Sequence, residues 1–230
     1  MSNKVSAINI SSDSFGQEAR SLATGKSRDV RYFFVAMASL FPILVLLGFG
    51  PRFLAMSSGE LKVHWLVHVH GAVMAGWLLV FLVQTILAAK GNLKFHRQLG
   101  LFSTFYAAIV WGSMLTVSLR SGVPWNIMLF QLHIPVLFGL FFTWGILVRK
   151  NTPAHKRLLF LATLVLLQAA IGRIQWLPGI SMGPLVFFVY LDALLIPLFV
   201  YDFFTGGRMH KITLLGSACL MVVQLVVLTV

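Results

Sequence analysis

The chain has 230 residues, of which 58% are hydrophobic and 10% charged, with a mean hydropathy of +0.88 and a formal net charge of +12. A soluble domain carries about 25% charged residues, so this composition excludes a soluble globular protein. The composition is typical of an integral membrane protein, whose first expected partner is the lipid bilayer.

Residues 1–31 are polar and rich in serine and lack the apolar stretch of a secretory signal, so we interpret them as a cytoplasmic tail. Residues 32–230 are predicted to form one all-α domain, a polytopic membrane bundle of about seven transmembrane helices. Its apolar runs cover residues 32–50, 65–89, 98–119, 125–148, 158–177, 184–203 and 212–230. Each is close to the ~20 residues with which a helix crosses the hydrocarbon core, and none alternates like a barrel strand.

The basic residues are distributed unequally between the two sides of this topology. The N-terminal tail and the loops after the second, fourth and sixth helices carry 14 of the 18 lysines and arginines. The positive-inside rule therefore predicts a cytoplasmic N-terminus. Because topology accounts for the positive charge, nucleic acid is not an expected partner.

The three loops on the basic side resemble one another. Each contains a histidine followed by lysine or arginine at the start of a new apolar run, namely His96, His155 and His210. This repeat predicts one isolated helix followed by three helical hairpins of antiparallel neighbours. The histidines are either amphipathic side chains at the membrane boundary or a cytoplasmic-side cluster at which the hairpin ends converge.

The second helix carries a polar stripe near and below its outer end. His70, Trp77 and Gln84 follow one another at intervals of seven residues, so they share one face, which we expect to face the bundle. His64 and His68 share a different face. These three histidines therefore cannot all ligate one ion from a regular helix.

The fourth helix repeats this arrangement with Gln131 and His133 near its outer end. At 1.5 Å per residue, His133 and His70 are expected at similar depth in the membrane. Helices five and six add Gln168, Arg173 and Asp192.

Arg173 and Asp192 are the two charges predicted inside the membrane. A lone charge is costly there, so an ion pair between Arg173 and Asp192 is expected. Such a pair could serve function or only fix the register of the two helices.

Three kinds of chemistry fit these residues. Haem b could take His70 and His133 as axial ligands, with Arg173 near a propionate and an inner pair drawn from His96, His155 and His210. A non-haem metal could be bound by His70, His133 and Asp192. Alternatively, a proton or substrate path could run through the buried network of Trp77, Gln84, Gln131, Gln168 and Asp192. Cys219 is the only cysteine, which excludes an internal disulfide.

Several short motifs resemble a family of bacterial multi-span membrane proteins that is mostly uncharacterised. They are His68-Val-His70-Gly71, Trp77, Gln84, His96-Arg97-Gln98-Leu99-Gly100, Ala154-His155-Lys156-Arg157-Leu158, Ala169-Ala170-Ile171-Gly172-Arg173, Tyr201-Asp202 and Gly207-Arg208-Met209-His210. The resemblance covers residues 60–216 and implies location in the bacterial inner (cytoplasmic) membrane, without implying an activity. The pattern of the second helix is also similar to that of b-type membrane cytochromes.

Four functions therefore stand open on the sequence. The first is haem b electron transfer, with a membrane redox partner or a quinone. The second is a transporter or channel for a proton, a metal or a small molecule. The third is a non-catalytic membrane subunit or assembly factor, and the fourth is a metal-dependent membrane enzyme.

Overall fold

The computed structural model describes residues 31–120 and 124–229, which are helical and contain no β-strand. Within these residues, seven apolar helices follow one another: α1 (Arg31–Ser57), α2 (Trp65–Ala89), α3 (Leu93–Ser118), α4 (Trp125–Leu147), α5 (Thr152–Ile171), α6 (Pro184–Gly206) and α7 (Lys211–Val227). The first six are long and apolar enough to cross a membrane, whereas α7 has 17 residues. The predicted all-α membrane bundle is confirmed. The predicted tail lies outside the described residues, except for Arg31.

Helices α5 and α6 differ from their predicted form. Helix α5 begins at Thr152, six residues before the predicted apolar run, because the Asn151 side chain accepts a hydrogen bond from the Ala154 N–H at 3.3 Å. It ends at Ile171, and Gly172 follows it. Arg173, which was predicted within this helix, therefore lies beyond its end.

Both helices are also discontinuous. In α5, Leu167 separates Thr152–Leu166 from Gln168–Ile171, and its N–H bonds to the carbonyl three residues back, at 3.0 Å. Helix α6 consists of Pro184–Ala193 and Ile196–Gly206. Pro197 has no N–H, so no regular bond to the carbonyl of the residue four positions earlier can form across this break.

We call the end at which α1, α3, α5 and α7 begin the inner end of the bundle, and the opposite end the outer end. Helices α2 and α3 pack together, as do α4 and α5, in agreement with the first two predicted hairpins. Helix α7 instead packs mainly against α4 and α5. Side-chain hydrogen bonds also link α7 to α6, from Thr213 to Asp202 and from Gln224 to Asp192, so the two helices of the third predicted hairpin are antiparallel neighbours as well.

Helix α5 occupies the centre of the bundle. Of its apolar stretch, 78% is buried, against 22–33% for the other five long helices. Its fully buried side chains include Leu158, Phe160, Leu161, Leu164 and Val165. Large apolar side chains on the surrounding helices, such as Leu46, Phe105 and Leu225, are exposed around the periphery of the bundle. This arrangement suits a protein whose outer surface contacts lipid.

Candidate functional site

His133 on α4 is the most buried of the predicted ligands, with 5% of its surface exposed. Its Nε2 lies 2.7 Å from the side-chain oxygen of Gln168 on α5, and its Nδ1 bonds to the Phe130 carbonyl. The rings of Phe130 and Phe188 pack against the imidazole edge to face. Both ring nitrogens of His133 are thus hydrogen-bonded within the chain. Gln131, the other polar residue predicted near the outer end of α4, is half-buried.

The pairing of His133 with an amide has a chemical consequence. A carbonyl only accepts, so Nδ1 carries a proton toward Phe130, and Nε2 accepts a hydrogen bond when the ring is neutral or donates one when it is protonated. The Gln168 amide can serve either state, because rotation exchanges its donor nitrogen for its acceptor oxygen. The pair can therefore hold the imidazole with or without the extra proton.

His70 on α2 lies in a different contact. Its Nδ1 is 3.2 Å from the hydroxyl of Ser113 on α3, and that hydroxyl donates to the Val110 carbonyl at 2.8 Å. Nδ1 of His70 therefore donates to Ser113, which leaves Nε2 as the acceptor. Two turns further along the same face, Trp77 donates its indole N–H to Thr163 of α5 at 3.3 Å.

His70 and His133, the predicted outer haem ligands, are bonded to different helices in this arrangement. Nε2 of His133 is directed at Gln168 on α5, and Nδ1 of His70 is bonded to Ser113 on α3. An open apolar groove of about 520 Å³ between α3 and α4 contains no histidine; among the residues that line it are Trp111, Phe138 and Phe142. Within residues 31–120 and 124–229, no three His, Cys, Asp or Glu side chains form a group that could hold a metal ion.

The predicted ion pair between Arg173 and Asp192 is not formed. Asp192 on α6 accepts a hydrogen bond from the side-chain amide of Gln224 on α7, at 3.1 Å. Arg173 donates to the Ala169 carbonyl at 2.5 Å, and its guanidinium lies over the Phe49 ring, 4.8 Å from the centroid. The expectation failed because Arg173 lies beyond the end of α5, where its side chain reaches α1 and not α6.

Asp192 is part of the outer half of α6, and His133 contacts the same half of that helix. The last turn of α5, Gln168–Ile171, packs against Pro184–Ala193, the outer half of α6. Phe188 contacts the His133 ring, at 5.9 Å between ring centroids, and Asp192 lies one turn further along the same helix face. The outer half of the bundle therefore contains two titratable groups, each bonded to a glutamine amide.

At the inner end the structure contains a buried ion pair that the sequence analysis missed. The Arg157 guanidinium on α5 donates through Nε, at 2.9 Å, and through Nη2 to one carboxylate oxygen of Asp202 on α6. The other oxygen accepts from the His210 N–H at 3.0 Å and from the Thr213 hydroxyl at 2.5 Å. Arg157 was assigned to a loop because the apolar run begins only at Leu158. The signal available was the presence of both residues in the quoted motifs.

Two of the three repeated histidines, His96 and His155, contact the preceding helix of their hairpin at the inner end. Nδ1 of His96 lies 3.3 Å from the Gln84 carbonyl oxygen, and Nδ1 of His155 donates to the Gly145 carbonyl at 2.8 Å. The Gln84 side chain also lies 3.1 Å from the Ser103 hydroxyl. Each ring is thus fixed through one nitrogen, and Nε2 has no hydrogen-bond partner among the described residues.

His210 has a different role from the other two repeated histidines. Its Nδ1 accepts from the Ile212 N–H at 3.1 Å and so caps α7. Burial, followed by the charge of the neighbouring Arg157, lowers the pKa of the His210 imidazole. This histidine is therefore expected to be neutral at pH 7.

Comparison with protein-family models, with curated proteins and with solved structures gives no match for this chain. The resemblance of its motifs to a bacterial membrane-protein family stays a prediction.

Proposed function

We propose that the chain is a membrane transport protein that moves protons, with Asp192 as the group that carries the proton through the outer half of the bundle. The observation that supports this proposal is the pairing of Asp192 with the neutral amide of Gln224. Among the described residues the one ion pair is Arg157–Asp202, so no cation there balances the charge of Asp192. A carboxyl group within a membrane span without a cationic partner is costly and marks a functional site by default.

The amide partner fits a group that gains and loses a proton. An ionised carboxylate accepts from the amide nitrogen of Gln224, and a protonated carboxyl donates to its oxygen after the amide rotates. The same holds for His133 with Gln168. A fixed cation such as lysine or arginine would instead hold Asp192 in its ionised form.

The break in α6 lies beside Asp192. The N–H of Leu195 bonds to the Asp192 carbonyl at 2.9 Å, and the helix resumes only at Ile196. Discontinuous helices near the middle of the membrane recur where transport proteins bind their ions. The break in α5 at Leu167 comes immediately before Gln168, so Asp192 and the amide partner of His133 each adjoin an irregular turn.

Proton flux into liposomes tests this proposal. The full chain is reconstituted with an entrapped pH indicator, and a potassium gradient with valinomycin drives protons inward. We expect the wild-type chain to carry protons above the rate of empty liposomes, and Asp192→Asn to return the rate to that background, because an amide cannot exchange the proton.

Two controls make the measurement specific. Asp192→Glu keeps a carboxyl group and is expected to retain flux, and Glu60→Gln removes an exposed carboxyl from the loop after α1 without effect. Full flux in Asp192→Asn, or a wild-type rate equal to that of empty liposomes, would overturn the proposal.

Haem b electron transfer is the second candidate, and His96 and His155 favour it. Histidines that ligate a metal usually donate their other ring N–H to a carbonyl, carboxylate or water, and both of these have Nδ1 within hydrogen-bond distance of a carbonyl oxygen. Bound haem would supply one-electron chemistry. A dithionite-reduced minus oxidised spectrum with a b-type band, lost in His96→Ala and in His155→Ala, would support this assignment. A band that survives both changes would contradict it.

We also propose that the inner end faces the cytoplasm, and that the membrane is the bacterial inner membrane. The described basic residues at that end include Lys94, Arg97, Arg149, Lys150 and Arg208, and the positive-inside rule supports this orientation.

A further inference from the structure

Arg157 and Arg173 lie near opposite ends of the bundle and hold their guanidinium groups in the same way. Nη1 of Arg157 donates to the Pro153 carbonyl at 2.7 Å, and Nη1 of Arg173 donates to the Ala169 carbonyl at 2.5 Å. In both cases the carbonyl belongs to the residue four positions earlier. Each side chain is thus fixed by one nitrogen, which leaves Nε and Nη2 as a two-pronged edge.

The two edges differ in what they bind. Nε and Nη2 of Arg157 both donate to the carboxylate of Asp202. Nε of Arg173 is buried and has no hydrogen-bond partner among the described residues, and no carboxylate there pairs with its charge. A buried donor without a partner costs about 1–3 kcal/mol, and more when it is charged.

A second positive charge lies beside Arg173. Gly48 of α1 is in close contact with Ala170 of α5, and Arg52 comes one turn after Gly48, on the same face of α1. Burial and then the charge of Arg52 lower the pKa of the Arg173 guanidinium, which is the effect expected of two neighbouring cations. Neither cation has an ion-pair partner among the described residues.

We propose that the Nε–Nη2 edge of Arg173, together with Arg52, binds a phosphate group. Guanidinium edges bind phosphate oxygens with two parallel hydrogen bonds, and two arginines suit a phosphate better than a single carboxylate. Arg173 follows the end of α5 by two residues, and Arg52 lies in the last two turns of α1, so the site is at the outer boundary of the membrane. The phosphate of an anionic phospholipid head group is located at this boundary, and free phosphate offers the same oxygen acceptors.

Thermal unfolding of the detergent-solubilised full chain, titrated with ligand, tests this site, because a ligand that binds the folded state raises its stability with concentration. The probes are phosphatidylglycerol, phosphatidylcholine and inorganic phosphate. We expect phosphatidylglycerol to raise the unfolding midpoint of the wild-type chain more than phosphatidylcholine. An equal response to inorganic phosphate would identify free phosphate as the ligand.

The variants distinguish binding by the two-donor Nε–Nη2 edge of Arg173 from binding by its positive charge alone. Arg173→Gln is expected to abolish the response, and Arg173→Lys, which keeps the charge but not the edge, to weaken binding about tenfold, near the value of one charge-assisted hydrogen bond. Arg52→Gln is expected to weaken it as well. Arg120→Gln changes an exposed arginine at the same end of the bundle and should leave binding intact.

The site would be disproved by equal responses of the wild type, Arg173→Lys and Arg52→Gln, or by a wild type that responds to none of the three probes. Arg173→Lys and Arg52→Gln keep the test informative if Arg173→Gln fails to fold. Asp192→Asn should bind phosphatidylglycerol as the wild type does, so failure of this site and failure of proton transport are separate results.

Discussion

Replacing Asp202 by alanine is expected to lower the free energy of unfolding by about 3–5 kcal/mol, because it leaves a buried guanidinium without its counter-ion. Asp202 is 1% exposed and Arg157 5% exposed. The carboxylate also bonds the His210 N–H and the Thr213 hydroxyl, so its loss leaves donors of α5, of α7 and of the preceding loop without an acceptor. Titration with a denaturing detergent, followed by circular dichroism, measures the change.

A double variant isolates the charge from the packing. Arg157→Met with Asp202→Leu removes both members of the pair and is expected to be more stable than either Asp202→Ala or Arg157→Met alone. Thr213→Val removes one neutral donor and should cost about 1 kcal/mol. If Asp202→Ala lowered the free energy of unfolding by less than Thr213→Val does, the ion pair would not stabilise the inner end.

The helices could be predicted from the sequence because burial in lipid requires long apolar runs, whatever their neighbours. For α2 the predicted and observed bounds agree. For α5 they do not, since hydropathy detects which segment can be buried in an apolar environment and not where the backbone becomes helical. The Asn151 cap lies seven residues before the first apolar residue of that run.

The partners of the polar side chains could not be predicted in the same way. Arg157 and Asp202 are 45 residues apart, and Asp192 and Gln224 are 32 residues apart. Each pairing depends on how the helices are rotated about their axes, which tertiary packing decides. The expected pair of Arg173 and Asp192 failed for a further reason, because α5 ends at Ile171 and the Arg173 side chain beyond it reaches α1.

The central position of α5 also had no signal in its hydropathy. Its apolar window has a mean hydropathy of 1.4, the same as that of α3, which lies at the periphery. Hydropathy cannot distinguish a helix surrounded by protein from one surrounded by lipid, because both surroundings are apolar. What distinguishes α5 is the number of helices that supply hydrogen-bond partners to it, among them α2 through Trp77, α4 through His133 and α6 through Asp202.

Replacing Gly48 by alanine is expected to destabilise the bundle by about 1–3 kcal/mol, the usual cost of inserting a methyl group into a packed contact. Gly48 is buried, and a Cβ atom there would overlap the backbone carbonyl of Ala170. Backbone cannot swing aside as a side chain can, so α1 must move away from α5. Thermal unfolding in detergent measures the loss.

Gly50 provides the matched control on the same helix, because a Cβ atom there meets no atom within 4 Å. Gly50→Ala is expected to stabilise the chain by up to about 1 kcal/mol, since alanine favours a helix over glycine. The movement forced by Gly48→Ala would also separate Arg52 from Arg173, and so it should weaken the response to phosphatidylglycerol, whereas Gly50→Ala should not. Equal stability of the two variants would mean that α1 does not contact the end of α5 at this point, and the paired arginines would then lose their geometric basis.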